Sequence, residues 1–200
     1  MTAGIDKNSG RAGDPASYYE NGDSFEPVGG TINTILLINA DLPEYAMTRA
    51  VMTATEAKAV ALQQVMARSI YSTGIATGSG TDMIAVVANP GSLLHLLDAG
   101  KHAKLGELIG STVIRATRAA LERETGLSPA SQRDALVRLS RFGVTGDDIW
   151  KAAVLAGYVE NASPEERERF MQYLRTRARE PGTVARAAAA LHVVDEAGWG

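Results

Sequence analysis

The chain has 200 residues, 45% hydrophobic and 22% charged, which excludes a disordered polypeptide and leaves room for one domain plus a smaller appendage. A formal net charge of -3 argues against a nucleic-acid partner, because such binding rests on clustered Lys and Arg. The absence of cysteine excludes disulfides, thiolate catalysis and Cys-ligated zinc; with no apolar run long enough to span a bilayer, a cytoplasmic location and no membrane partner are expected.

Residues 6–30 are dense in turn formers and predict a loop, of a length that tends to be functional or mobile. Within it, Arg11 and Asp14 of "GRAGDP" can pair to order the loop or can face a site. The run "GTINTILLINADLP" predicts a strand closed by Pro43; its centre, Thr34 to Ile38, is nearly all apolar, which predicts burial on both faces. A helix follows over 44–69, with Val51, Ala54, Leu62 and Val65 as its apolar stripe. "YSTGIAT" and "DMIAVVAN" read as strands on either side of "TGSGTD". A second long helix runs from Lys101 to Glu124, with Leu105, Leu108, Ile109, Val113 and Ala120 inward and Gly126 as its stop.

From about residue 128 the pattern is all-helical, with helices over 129–142, 146–158 and 182–196 and another opening at "SPEERERF". There Ser163 caps, Pro164 fits the first turn and Glu166 completes a capping box. The expected architecture is α/β (or α+β): a mixed sheet covered by two long helices over 1–127, then an all-helical region over 128–200. The short start predicts an incomplete sheet edge, which favours a homo-oligomer.

Four polar groupings carry chemistry. "TGSGTD" is followed by a strand, not a helix, so no helix N-terminus stands behind it to receive a phosphate. It is therefore a turn or a site loop. In "TATEAK", Thr55 and Lys58 fall on the apolar stripe, where a lysine must snorkel or pair with a carboxylate; Glu56 points elsewhere. Thr55-x-x-Lys58 also has the spacing of a hydroxyl nucleophile and its lysine base, against the plainer reading of a structural ion pair. "GKHAKLGELIG" crowds Lys101, His102 and Lys104 onto a helix N-terminus, suited to an anion or a developing oxyanion, unless Lys104 simply pairs with Glu107. Asn33 sits at the mouth of the buried strand and can pin a loop or hold an amide. His95 and His192, in apolar helical contexts, read as structural, and no metal-ligand spacing is present.

The ordered series "RAGDP", "GTIN", "TATEAK", "TGSGTD" and "GKHAKLGELIG" resembles the adenosylcobinamide amidohydrolase (CbiZ) family over about residues 2–125. The resemblance implies hydrolysis of the amide joining adenosylcobinamide to aminopropanol, in corrinoid salvage. The cobalt arrives with the corrinoid substrate, and no separate cofactor is implied. Ser79 stands where the family pattern has Thr; both are hydroxyls. The resemblance also implies a segment ahead of Thr2, and the helices after about residue 145 have no family counterpart.

Amide hydrolysis needs an activated nucleophile, a stabilised oxyanion and a proton for the leaving amine. On that basis Asp82 or Glu56 activates water, and His102 protonates the leaving nitrogen. Lys101, Lys104 and the helix N-terminus hold the oxyanion. Thr31, Asn33, Thr77, Ser79 and Thr81 orient the amide, with Arg11, Asp14 and Glu107 completing the binding set. The competing assignment makes Thr55 the nucleophile and Lys58 its base. The alternative function is non-catalytic corrinoid binding or regulation.

Overall fold

The computed structural model describes residues 1–15 and 29–198, which form two compact units, Met1–Ser128 and Pro129–Gly200. Residues 16–28 of the predicted loop lie outside the described residues.

The first unit is α/β. Its sheet runs β1 (Thr2–Gly4), β3 (Thr31–Ile38), β5 (Met83–Ala88) in that spatial order. β1 is antiparallel to β3, and β5 is parallel to it in the register Asn33–Met83 to Ile38–Ala88. Parallel pairing demands a crossover, which α1 (Glu44–Gln64) supplies. A separate two-stranded ribbon pairs β2 (Ser9–Gly10) with β4 (Gly78–Ser79). The sheet is mixed and covered by two long helices, as the sequence predicts.

One face of the sheet carries the core. Ile32 packs with Leu62 of α1, with Val65 just past its end and with Leu121 of α2 (Lys104–Thr125). Leu36 packs with Ala50, Ala54 and Ala57 of α1 and Ile109 and Val113 of α2. The alanine stripe lets α1 lie close to its neighbours. Thr53 Oγ1, buried, donates to the Ala99 carbonyl at 2.8 Å, holding the 98–103 segment on α1. Gly106 makes the next crossing possible, since a Cβ there would collide with the Gly100 carbonyl. α2 ends at Gly126, whose φ of 69° takes the left-handed conformation that stops the helix.

Several elements differ from expectation. Within the first unit β3 is buried on one face only; Ile35 and Leu37 are 66% and 78% exposed, because no described residue of that unit packs on that side. "YSTGIAT" is not a strand. Its Ser69 and Ser72 neighbourhood spends hydroxyls on Asp14 and on nearby amides, and such local bonds displace a ladder. α1 ends at Gln64 rather than at 69, past which Met66 turns left-handed with φ of 50°. His95 is not helical; it lies in an exposed segment bridged to Asp41, with Nδ1 2.8 Å from Asp41 Oδ2.

The second unit contains α3 (Ala135–Leu139), α4 (Gly146–Leu155), α5 (Pro164–Ala178) and α6 (Pro181–Ala197). Trp150 meets Phe170 edge to face at 5.2 Å, and Arg141 pairs with Asp195 at 2.5 Å. Ser163 caps α5, but Glu166 closes only half of the predicted box: its carboxylate accepts from the Asn161 amide instead. His192 lies on α6 as an exposed partner of Glu196.

Gly106→Ala is expected to destabilise the first unit by about 3 kcal/mol, the upper end of overpacking costs. Urea unfolding of the variant beside the wild type checks this; an unchanged midpoint would remove the close crossing from the account.

Candidate functional site

The buried side of α1 presents Lys58, only 7% exposed, to the N-terminal end of the sheet. Its ammonium pairs with Asp82 Oδ2 through a short contact, which resolves the lysine on the apolar stripe by a carboxylate rather than by snorkelling. Asp82 is saturated. Oδ1 accepts from the Ile32 amide (3.1 Å) and Ser79 Oγ (2.5 Å), while Oδ2 accepts from the Ser79 amide (3.1 Å) as well as Lys58. The carboxylate thus joins α1, β3 and β4 at one point. Gly78 is obligatory there: a Cβ would collide with Asp82 Oδ2 and sit 2.7 Å from Lys58 Nζ.

"TGSGTD" is more than a plain hairpin turn. Gly78 and Ser79 form β4 against Ser9 and Gly10, and Thr77 Oγ1 accepts from the Ala12 amide at 2.9 Å. On its other flank, Thr81 Oγ1 donates to the Gly30 carbonyl (2.9 Å) and Thr31 Oγ1 donates to the Thr81 carbonyl (2.8 Å). Thr31, Thr77, Ser79, Thr81 and Asp82 are therefore brought together. Asn33 is not; it projects from the exposed face of β3.

Asp14 anchors the neighbouring segment. Its Oδ2 accepts from Ser69 Oγ (2.5 Å) and the Arg11 amide (2.8 Å), and Oδ1 from Ser72 Oγ (2.5 Å). Burial by itself would raise the Asp14 pKa. Hydrogen bonds from Ser69, Ser72 and the Arg11 amide, with the Arg11 charge, outweigh it and hold the carboxyl below its ordinary value. Sequence reasoning missed Ser69, Ser72 and Asn8. Asn8 is 1% exposed and donates from Nδ2 to the Gly30 carbonyl at 2.5 Å, while its Oδ1 has no partner among the described residues. Nothing in "DKNSG" marks it out from the turn formers around it.

The remaining predicted residues gather on the other side of α1. Glu56 and Lys58 are two residues apart, so their Cα atoms lie about 5 Å apart while their side chains diverge by about 200°. Glu56 Oε2 meets Lys101 Nζ at 2.6 Å, and Lys104 meets Glu107 at 2.7 Å; all four are well exposed. His102, beside Lys101, is exposed. Thr55 is exposed too and donates to the Val51 carbonyl at 2.9 Å, so it is not brought to Lys58. Next to this group opens an apolar cleft of about 790 Å³, between the C-terminal half of β3, the 94–98 segment and the first turns of α2. Leu36, Ile38, Leu105 and Ile109 line it, and Asn39, Asp98 and Lys104 supply its polar groups. Among the described residues no cluster of three or more His, Asp or Glu is placed to hold a metal ion, and no helix is long and apolar enough to cross a membrane.

The family described as adenosylcobinamide amidohydrolase, CbiZ, matches residues 1–129. "Uncharacterized protein MJ1613" of Methanocaldococcus jannaschii is 38% identical over 135 residues, covering 62% of this chain and 52% of that protein. The chain thus spans about half the length of that curated relative. No solved structure matches.

Lys58→Met removes one partner of a largely buried pair and is expected to cost about 3–5 kcal/mol in denaturant unfolding. A loss under 1 kcal/mol would show that solvent already screens Asp82. Asp14, with its folded pKa depressed, stabilises the fold above its unfolded pKa, and that contribution is lost as pH falls through the folded value. Asp14→Asn is therefore expected to lower the melting temperature at neutral pH and to flatten its decline below about pH 4. Parallel wild-type and variant acid limbs would contradict this.

Proposed function

The chain belongs to the adenosylcobinamide amidohydrolase family, and we propose that it hydrolyses the amide joining adenosylcobinamide to its aminopropanol arm, releasing adenosylcobyric acid and the amino alcohol. The observation that carries the reading is the span of the family match, residues 1–129, which contains every polar motif described above.

The geometry supports a division of labour. Asp82 has each carboxylate oxygen engaged by two donors, which leaves it poorly placed to take a proton from water. It serves instead as the fastening that shapes the Thr77–Asp82 loop. Glu56 is open to solvent and has a cation on one oxygen only, so it is the carboxylate available to activate water. His102, on the turn ahead of α2, returns a proton to the leaving nitrogen. Lys101, Lys104 and the unpaired first amides of α2 face the oxyanion that forms as water adds to the carbonyl. The apolar cleft beside them accommodates an apolar face of the corrin ring system, with Asn39 and Asp98 available to its amide side chains.

Incubation with adenosylcobinamide and detection of adenosylcobyric acid by mass spectrometry tests this. Glu56→Gln and His102→Ala are expected to lower kcat at least ~100-fold with melting temperature unchanged, within the usual range for general acid–base groups. Asp82→Asn should lower activity and stability together, and Thr55→Val should retain activity. Full activity in Glu56→Gln would return the base to Asp82. Tight corrinoid binding without turnover by the wild type would favour the non-catalytic reading.

A further inference from the structure

From the open face of the sheet, we infer that a second copy of this chain packs face to face on β3 and β5, making a four-layered α/β/β/α dimer.

Two independent observations meet here. The first is the composition of the strands. "TILLI" and "MIAVVA" are apolar at successive positions, the pattern of parallel strands covered on both sides rather than of a sheet with one wet face. The second is what the first unit leaves uncovered. Parallel register sets Ile35 beside Ala85 and Leu37 beside Val87, with Met83 next in line. Ile35, Leu37, Met83 and Val87 are 66%, 78%, 68% and 51% exposed. With Ala85 they present on the order of 500 Å² of apolar surface, about the apolar share of the ~800 Å² that one partner gives a standard interface.

The patch itself suggests its occupant. Its side chains carry no charge, so it cannot select an acidic or basic partner. It is compact and two strands wide, so a two-fold axis through it sets the same residues against themselves without opposing like charges. Two such faces stack as aligned sheets about 10 Å apart, each supplying the layer the other lacks. α1 and α2 remain outside.

Multi-angle light scattering of the full chain at tens of micromolar is expected to give twice the 21.1 kDa chain mass. Ile35→Glu and Val87→Glu are expected to return it to one chain mass with helical circular dichroism unchanged, since both side chains lie outside the intrachain core. Because the chain has no cysteine, a nitroxide on Ala85→Cys reports the interface without relying on those variants. Sheets about 10 Å apart put the two labels within roughly 30 Å. A monomeric wild type, an undiminished dimer in folded Glu variants, or no intermolecular distance at position 85 would each overturn the proposal.

Discussion

A lysine on the sheet-facing side of a helix cannot stay charged in an apolar core without a counter-ion, and a single carboxylate cannot be buried without donors. Lys58 and Asp82 answer both demands at once. The chain that brings Asp82 to Lys58 must also bring Gly78 within reach, because no side chain fits between them. Asp82 then uses its other lone pairs to fix the Ile32 amide and both Ser79 donors. The crossover from β3 through α1 to β5 is thereby closed by polar bonds at the end where the strands begin. The ribbon of β2 and β4 follows from the same arrangement, since Ser79 is shared between the carboxylate and the Ser9 pairing.

The two acid–base pairs on α1 differ in what they can do because they differ in water. Lys58–Asp82 is nearly sealed, so its charges hold geometry. Glu56–Lys101 is exposed, and such pairs contribute little to stability. A weak, exposed ion pair opens easily, whereas a sealed one holds its geometry. The helix separates the two kinds of pair by two residues, so the structural lock and the accessible carboxylate share one rigid support.

Much of this was legible in the sequence. The strand over Thr31–Ile38, both long helices, the strand after Asp82 and the Gly126 stop follow from periodicity and from glycine. The need of Lys58 for a carboxylate follows from its place on an apolar stripe. What could not be read is pairing at a distance. Which carboxylate meets Lys58 depends on a β4 strand two residues long, and two residues carry no periodicity. The fate of "YSTGIAT" turned on Asp14, about 55 positions away, capturing Ser69 and Ser72 hydroxyls. The burial of Asn8 depends on the backbone at Gly30, where φ is 99° and where a side chain would strike the Gly4 carbonyl.

The placement of Lys101 and His102 rests on close backbone approach rather than on any polar motif. Ala99 is fully buried among the alanines of α1, and Thr53 grips its carbonyl. One turn into α2, Gly106 lets that helix ride against the Gly100 carbonyl. Those two contacts hold the backbone on either side of Lys101, whose ammonium meets Glu56 Oε2 at 2.6 Å. Small residues at 54, 99 and 106 thus set the distance between a carboxylate on one helix and a histidine just ahead of another. A larger residue at 54, 99 or 106 would shift Glu56 and His102 relative to one another without touching a charged group.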